Sequence, residues 1–575
     1  MDKKINPRIA SYLLFLSLTL ILIFPSIKPL LKPDFFKMHD YTHVARLSEL
    51  DIALREGHFP ARLSKNLGWG YDMPLFQFYA PLPYYLSELF HLLGLNFLDS
   101  IKICFGLTFF ISFWGMFFLA KKFWGKWGGF LAGLAFVYSP YRAVDFYVRG
   151  ALGELFAISL IPWVLWSITE IVDKKGKKKM VLASLLLASF LLSHTVLNLV
   201  CFPLFLLFAG FYMLVSKTFK KSFTRVISSF VLGIGLSSFF LLPAFFEKKF
   251  SQVDKLIGGY SHYSHHFLYF RQFIWGNWGY GGSVDGIKDA MSLHLGKVHL
   301  GLAALAIVFS LIGILWTKRL GKKNLLVIFF VALLAILAFL STYHAKPVWD
   351  ALPIMVFVQF PWRLNSFIIV LIAFLAGAGI YYLSKFSPKL AFLFCVAASA
   401  LLLQINIKYF KPQEYITPSD YYYTDAEIIK KAMSDIIPDF IPIWVEKKPE
   451  KIAFDDYQVI SGNPEIEAIQ SKTHKLILKV KNQEQADLQI NRFYFPGWKV
   501  FIDNKEAFFE YKDTNGIITT SLPEGEYVLK LIFTKTPIRK LAEVVSFASL
   551  FLVIILYFSP VSLFVSKILN KTGSS

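Results

Sequence analysis

The stretch KMHDYTHVARLSELDIALREGHFPARL, residues 37–63, follows directly on an apolar run near residues 10–31. A run of about 20 apolar residues is long enough to cross a bilayer. It lacks a small-residue cleavage site and is too long for a signal peptide, so we expect a retained anchor. Residues 37–63 are therefore predicted to be the first segment beyond the membrane, and Asp40 and His43 lie three residues apart at its start.

The whole chain has the composition of a polytopic membrane protein. Of its 575 residues, 55% are hydrophobic and 60 are Phe, and the mean hydropathy is +0.51. These values lie far outside the range of soluble domains. The net charge of +21 could indicate nucleic acid, but the Lys residues cluster in short loops between apolar runs, where they are typical of cytoplasmic anchors. Nucleic acid is therefore not a predicted partner.

The Lys-rich loops also predict the topology, because short basic loops are retained in the cytoplasm. The protein is expected in a bacterial plasma membrane, with both termini on the cytoplasmic side. Residues 82–97 are short and carry Glu88 and His91, so they are interpreted as an interfacial helix on the outer face. Twelve helices are predicted to cross the membrane, near residues 10–31, 101–120, 127–139, 152–172, 180–193, 195–215, 226–245, 298–316, 324–341, 365–383, 389–407 and 541–559.

A change in composition after residue 407 predicts a separate domain. HKLILKVK, KVFID and YVLKLIF alternate apolar and polar residues with period two, and DNKE and LPEGE supply turns, which together favour a small antiparallel β-sandwich. Residues 1–407 are predicted to form a transmembrane domain, with outer-loop helices at 38–97 and a long outer loop at 246–297. Residues 408–540 are predicted to form an extracytoplasmic β-rich domain. Residues 541–575 are predicted to form a last transmembrane helix and a cytoplasmic tail.

The first candidate site is the beginning of residues 37–63. Val44, Leu47, Leu50 and Leu54 form an apolar stripe at helical spacing, which predicts an amphipathic helix lying on the membrane interface. Asp40 and His43 would then share one side of its first turn. Two interpretations of the carboxylate are open: a functional group, or an N-cap that accepts hydrogen bonds from backbone amides.

Further ionisable residues are predicted at the outer ends of other helices, where charges are costly unless they are used or paired. Glu154 either pairs with Arg149 or has a function. The predicted outer face carries arginines, namely Arg142, Arg149 and Arg363, whereas the predicted cytoplasmic loops are dominated by Lys. Because a guanidinium can hold two phosphate oxygens at once, these arginines indicate an anionic head group. The alternative is unspecific contact with lipid phosphates.

The long loop at residues 258–289 supplies the last candidates. Trp275, Trp278 and Tyr280 lie among glycines, a composition typical of aromatic surfaces that stack on sugar rings or enter the membrane interface. His262, His265 and His266 have a spacing that could hold a metal, but they lack a clear carboxylate partner, so no metal ligands are assigned.

Several of these segments resemble known bacterial membrane proteins. DYTHVARLSELDIALREGHFPARL and the residues up to 94, together with YVRGALGELFA, NWGYGGSVDGIKDAMSLHLG and QFPWRLNSF, are similar to landmarks of the 6-pyruvoyl-tetrahydropterin synthase-related family. FYFPGWKVFIDNKE followed by LPEGEYVLKLIF resembles the C-terminal outer domain of YfhO-like proteins. A pterin activity is not implied, because a twelve-span chain lacks the small soluble metal site of such a synthase.

The resemblance implies the GT-C glycosyltransferase architecture, in which a sugar is transferred from a polyprenyl phosphate or diphosphate to a glycan, lipid or protein acceptor. An acidic residue after the first span then acts as base or positions the acceptor, and Asp40 occupies that position. His43 would orient the carboxylate or the acceptor. Arg149 and Arg363 would bind the leaving phosphate, and Glu154 would orient Arg149 or contact the sugar. Related proteins often carry two adjacent acidic residues here, whereas Tyr41 follows Asp40. This departure counts against a metal-dependent mechanism but leaves room for a divalent cation.

Two other functions remain open at this stage. A transporter or flippase of lipid-linked sugars could use the same outer residues for head-group recognition alone, although such a protein should carry ionisable residues at mid-membrane and broken helices. A non-catalytic scaffold for envelope assembly is the third alternative.

Overall fold

The computed structural model describes residues 7–318, 320–417, 420–438 and 440–558. The predicted cytoplasmic tail and the basic residues Lys3 and Lys4 lie outside these ranges. The helices up to residue 247 are α1 (Pro7–Ile27), α2 (His43–Arg55), α3 (Leu75–Phe78), α4 (Leu82–Leu92), α5 (Phe97–Val137), α6 (Pro140–Tyr147), α7 (Leu152–Asp173), α8 (Lys177–Leu191), α9 (Thr195–Val215) and α10 (Phe219–Glu247).

The remaining helices are α11 (Phe270–Ile274), α12 (Lys297–Thr317), α13 (Lys322–Leu340), α14 (Lys346–Ala351), α15 (Asn365–Phe386), α16 (Pro388–Asn406), α17 (Asp420–Thr424), α18 (Ala426–Ile428), α19 (Ser434–Ile436) and α20 (Pro537–Phe558). Within the described residues, ten helices are long and apolar enough to cross a membrane: α1, α5, α7, α9, α10, α12, α13, α15, α16 and α20. The protein is a polytopic α-helical membrane protein.

Helix α5 accounts for two of the predicted spans. Its backbone leaves the helical region at Gly125, where φ is 78°. The rings of Phe113 and Phe130 lie 5.9 Å apart, whereas about 25 Å would separate their positions along a straight helix. The chain therefore reverses at Gly125, and its two halves match the spans predicted at 101–120 and 127–139. With the shorter helix α8, all twelve predicted segments have a helical counterpart.

The Lys-rich loops meet at one end of the bundle. Lys122 lies 3.0 Å from a carboxylate oxygen of Glu170 and 2.8 Å from one of Asp173, and Lys322 lies 3.4 Å from Asp173. The grouping of these loops agrees with the predicted order of crossings. The side of the membrane on which they lie stays a prediction.

The C-terminal part of the chain forms two antiparallel sheets. One has the order β4-β5-β10-β7-β8 and the other β3-β6-β9, which confirms the predicted all-antiparallel architecture. These eight strands are called the sheet domain. With the short pair that precedes it in the chain, the strands are β1 (Phe35–Phe36), β2 (Tyr415–Ile416), β3 (Tyr457–Ser461), β4 (Glu465–Lys472), β5 (Lys475–Asn482), β6 (Ala486–Phe493), β7 (Trp498–Ile502), β8 (Lys505–Ala507), β9 (Ile517–Leu522) and β10 (Gly525–Phe533).

The sheet domain packs on the loop that joins α1 to α5. The amide of Phe493 donates to the carbonyl of Tyr71 at 2.6 Å, and Arg492 is held between Asp72 and Asp456 at 2.9 and 2.7 Å. The strand pair β1–β2 joins the same loop to the linker before the sheet domain. The end of the bundle beneath this domain is called the sheet-domain end.

One local expectation is wrong. Helix α2 does not lie on an interface with one face exposed, because residues 43–51 are buried all round. The helix packs against α4, α5 and α17. The apolar stripe of Val44, Leu47 and Leu50 is real, but the polar side is also covered, so that its charged residues must find partners inside the protein.

Close packing of α5 against α15 gives a test of the bundle. An added Cβ at Gly377 would lie 2.5 Å from the carbonyl oxygen of Gly128, whereas one at Gly210 in α9 would meet nothing within 4 Å. We expect Gly377→Ala to lower the free energy of unfolding by roughly 1–3 kcal/mol. Gly210→Ala should be neutral or stabilising by up to about 1 kcal/mol. Thermal melting of both variants in detergent checks this, and equal stabilities would contradict the packing.

The predicted topology is testable by labelling. Cysteines placed at residues 177 and 505, both exposed, should react with a membrane-impermeant maleimide from opposite sides, with 505 outside. The three native cysteines are buried and should add little background. Reaction of both sites from one side would contradict the predicted order of crossings.

Candidate active site

The backbone at residues 38–40 pairs with the backbone at 148–150. The amide of His39 donates to the carbonyl of Val148 and the amide of Asp40 to the carbonyl of Arg149, both at 2.9 Å. These bonds join the loop after α1 to the turn between α6 and α7 at the sheet-domain end. Asp40 and Arg149, more than 100 positions apart in the sequence, thus become neighbours.

The Asp40 carboxylate is held by three donors. Nη1 of Arg46 donates to both of its oxygens at 2.8 and 3.0 Å, the hydroxyl of Tyr79 to Oδ2 at 3.2 Å, and the hydroxyl of Thr42 to Oδ1 at 3.1 Å. Burial alone would raise the pKa of this carboxyl, but the Arg46 charge and these hydrogen bonds hold it at about 2. With 30% of the side chain exposed, Asp40 is an ionised carboxylate that an incoming group can reach.

The N-cap interpretation of Asp40 is wrong. The N-cap of α2 is Thr42, and its side chain makes no capping hydrogen bond. The oxygens of Asp40 accept from side chains and not from the backbone amides of the first turn. Asp40 therefore owes its position to Arg46 and Tyr79.

Arg46 is a site residue that the sequence did not reveal. Its guanidinium lies 4.4 Å from the ring centroid of Tyr79 and donates to the hydroxyls of Tyr79 at 3.0 Å and Tyr84 at 3.4 Å. The available signal was its position three residues after His43, on one side of the helix. Tyr79 and Tyr84 carried no such signal, because they come from the loop before α4 and from α4 itself.

His43 is buried and anchors the junction. Its Nδ1 lies 2.7 Å from the hydroxyl of Tyr84, and its Nε2 lies 2.6 Å from the carbonyl of Gly150. Because a carbonyl only accepts, Nε2 carries the hydrogen and the hydroxyl donates to Nδ1. Burial lowers the pKa of His43. Its distance of 3.7 Å from Asp40 Oδ2 exceeds a hydrogen bond, so the predicted direct orientation of Asp40 by His43 is not what the structure shows.

Glu154 joins two of the predicted arginines. Its Oε2 lies 2.9 Å from Nη1 of Arg149 and 3.4 Å from Nε of Arg363. Its Oε1 accepts from the hydroxyls of Tyr141 at 3.0 Å and Ser366 at 3.2 Å. Of the alternatives open for Glu154, pairing with Arg149 is confirmed. Since Glu154 is fully buried, the pairing also fixes how far the two arginines can move.

The guanidiniums of Arg149 and Arg363 also have partners other than Glu154. Arg149 forms an ion pair with the buried carboxylate of Asp145. Nη1 of Arg363 donates to the carbonyl of Val358 at 3.0 Å and to the side chain of Gln359 at 2.6 Å. Arg149 and Arg363 keep 12% and 9% of their side chains exposed, so only an edge of each remains accessible.

The structure contradicts the prediction that Arg142 is presented to a head group. Arg142 is fully buried and lies between the rings of Phe109 and Phe136, 5.1 and 5.2 Å from their centroids. Its nitrogens reach the carbonyl of Thr108 and the hydroxyl of Ser159. Helix α6 directs this side chain into the protein.

The long loop contributes one exposed aromatic residue of the predicted three. Trp275 is 54% exposed. Trp278 packs on Tyr409 with ring centroids 4.8 Å apart, and the hydroxyl of Tyr280 donates to the carbonyl of Lys411 at 3.0 Å. An open aromatic surface is therefore not formed by Trp278 and Tyr280. The loop nevertheless reaches the site, because the carbonyl of Tyr280 is 3.0 Å from Nε2 of His39.

The loop histidines are engaged in other contacts. Nδ1 of His266 lies 2.9 Å from the hydroxyl of Ser283, and Nδ1 of His262 lies 2.7 Å from that of Ser264. Among the described residues, no three His, Cys, Asp or Glu side chains are grouped so that they could hold a metal ion.

Comparison with known sequences connects the middle of the chain to a family. Residues 76–284 match the model of the 6-pyruvoyl-tetrahydropterin synthase related domain, a membrane protein family, which confirms the resemblance noted above over that range. A protein of Lactococcus lactis subsp. cremoris, described as uncharacterized, is 25% identical over 243 residues, which are 40% of this chain and 39% of that protein.

Structural comparison finds an arabinofuranosyltransferase, ArnT and an oligosaccharyltransferase. The arabinofuranosyltransferase AftD from Mycobacteria is 15% identical with a TM-score of 0.44, over 71% of this chain and 27% of that chain. ArnT from Cupriavidus metallidurans, bound to undecaprenyl phosphate, is 13% identical with a TM-score of 0.41, over 69% and 64%. The oligosaccharyltransferase of Archaeoglobus fulgidus is 12% identical with a TM-score of 0.39, over 72% and 56%.

The ionised state of Asp40 is testable without any substrate. In Arg46→Met the carboxyl stays partly buried but loses its cation, so its pKa should rise. A hydrophobic carbodiimide, which reacts with protonated carboxyl groups, should then modify Asp40 at about pH 5, well above the ordinary Asp pKa of about 3.9. Asp40 of the wild type should remain unmodified.

Arg55→Met is the matched control, because Arg55 lies on the same helix and pairs with Asp51 instead. Mass spectrometry of the labelled peptides gives the extent of modification. Equal modification of Asp40 in the two variants would show that Arg46 does not set its protonation state.

Proposed function

We propose that the protein is a membrane glycosyltransferase that moves a sugar from a polyprenyl-phosphate donor to a hydroxyl acceptor. The observation that supports this proposal is the backbone junction between Asp40, whose carboxylate is ionised and accessible, and Arg149, which shares Glu154 with Arg363. A base for the acceptor and cations for an anionic leaving group are the two requirements of such a transfer.

In the proposed reaction, the acceptor hydroxyl attacks the anomeric carbon and Asp40 takes its proton. The new bond joins the acceptor oxygen to that carbon, while the bond from the carbon to the phosphate oxygen breaks and its electrons leave with the phosphate. A carboxylate with a pKa of about 2 is a weak base. It would therefore take the proton late, when the hydroxyl oxygen has already gained positive charge.

Arg149 and Arg363 are proposed to stabilise the leaving phosphate. The accessible edge of each guanidinium can donate to phosphate oxygens, and their low exposure strengthens that interaction relative to water. Glu154 and Asp145 hold the arginines in place before substrate arrives, so that the reaction does not have to order them.

The donor class is what the resemblance to the 6-pyruvoyl-tetrahydropterin synthase-related and YfhO-like families implies, and a lipid phosphate agrees with a site at the end of a membrane bundle. We further propose that this end faces outward from a bacterial plasma membrane, because the Lys-rich loops gather at the opposite end. Trp275, an exposed aromatic residue of the long loop, is a candidate for contact with the sugar or the interface.

Substitution of Asp40 separates the catalytic role from a structural one. Asp40→Asn keeps the shape of the side chain but cannot take a proton, and loss of a general base costs about 100-fold to 10,000-fold in rate. Radiolabelled sugar transfer in proteoliposomes measures this. Arg363→Lys should also be impaired, because a point charge cannot reproduce the planar set of donors.

The control is Asp285→Asn, at a carboxylate of the long loop that is 72% exposed. Thermal melting must show that each variant is folded, since Asp40→Asn leaves Arg46 without its ion pair. A folded and fully active Asp40→Asn protein would overturn the proposed role of Asp40. Above about pH 4 the wild type should show no acidic limb from Asp40, given its pKa of about 2.

A further inference from the structure

A groove of about 380 Å³ lies between the beginning of α4 and the helices α10 and α20. It belongs to none of the contacts described above. Its lining is apolar and includes Pro81, Tyr85, Leu236, Phe239, Phe547 and Leu550. Two of its walls, α10 and α20, are among the helices able to cross the membrane.

The polar groups at this groove are already satisfied. The hydroxyl of Ser546 donates to the carbonyl of Gly235 at 2.9 Å and accepts from the amide of Phe239 at 2.8 Å. Glu543, at one end of the groove, is paired with Lys535 and lies 3.9 Å from Arg62. A peptide in the groove would leave its backbone groups without partners, whereas a hydrocarbon chain has none to satisfy.

The groove also opens toward lipid. Phe547 and Leu550 on α20 are 65% and 43% exposed, on a helix whose surroundings are the hydrocarbon of the membrane. A chain can therefore enter from the bilayer without passing through water. The volume lies within the range of sites that bind small molecules, about 300–1,000 Å³.

Helix α4 separates this groove from Asp40. Tyr85 lines the groove, while the adjacent Tyr84 contacts Arg46 and His43 on the other side. Tyr79, which donates to Asp40, lies two residues before Pro81 of the groove. The head of a lipid in the groove thus has to pass only the start of one helix, roughly 10 Å across, to reach Asp40.

We propose that the groove holds the hydrocarbon chain of the acceptor, which is therefore a membrane lipid with a free hydroxyl in its head group. This assignment rests on the proposed function. Tyr79 connects the start of α4 to Asp40, so Asp40 is the group assigned to the acceptor hydroxyl. Arg149 lies against the ring of Trp362 at 4.7 Å and is assigned to the donor phosphate.

The test uses lipid that stays bound during purification of the full-length protein in detergent. Leu236→Trp should fill the groove, and Leu552→Trp is the matched control, because Leu552 is 44% exposed on α20 and outside the lining. Mass spectrometry of extracted lipid should find a hydroxyl-bearing lipid in the wild type and the control, and about tenfold less in Leu236→Trp. Equal amounts in both variants would overturn the proposal, as would selective loss of a polyprenyl phosphate.

A second measurement separates this inference from the proposed function. After addition of a polyprenyl-phosphate-linked sugar, the retained lipid should gain the mass of the sugar in wild type and control. Transfer of label to a different molecule, with the retained lipid unchanged, would overturn the acceptor assignment alone. Lipid that is retained selectively in a protein that transfers no sugar to any acceptor would instead overturn the proposed function.

Discussion

The backbone pairing of residues 38–40 with residues 148–150 is the contact on which the candidate site depends. Two amide–carbonyl bonds and the hydrogen bond from His43 to the carbonyl of Gly150 hold it. Gly150 has a φ of 64°, and an added Cβ would lie 2.0 Å from Sδ of Met38. Without this close approach, the carboxylate of Asp40 and the guanidinium of Arg149 would belong to separate loops.

The course of the chain through the membrane was predictable because hydrophobicity and Lys-rich loops are properties of local sequence. Even the reversal within α5 was predictable, since Lys121, Lys122 and Lys126 interrupt the apolar run. The burial of α2 was not. Its apolar stripe is the same whether the opposite face meets water or protein. The partners that cover the helix include Asn66, which donates to Glu49, and α17, which comes more than 350 residues later.

The candidate site was predictable in part for the same reason. Asp40 and His43 were identified by their place after the first span, and Glu154 with Arg149 by their nearness in sequence. Arg142 was misjudged, because spacing alone cannot tell that α6 directs it inward while Arg149 remains at the edge of the site. Tyr79 and Tyr84 were missed because they reach Asp40 and Arg46 only through the tertiary packing of α4 on α2.

The charges of the site bear on the leaving group. Asp40, Asp145 and Glu154 face Arg46, Arg149 and Arg363, and Arg142 lies one turn before Asp145 on α6. Three carboxylates and four guanidiniums leave one positive charge in a largely buried region, where an uncompensated charge is costly. A sugar phosphodiester carries one negative charge and would neutralise it. In the proposed reaction, the phosphate would gain a second negative charge when the glycosyl bond breaks, and the accessible edges of Arg149 and Arg363 would stabilise that gain in the transition state.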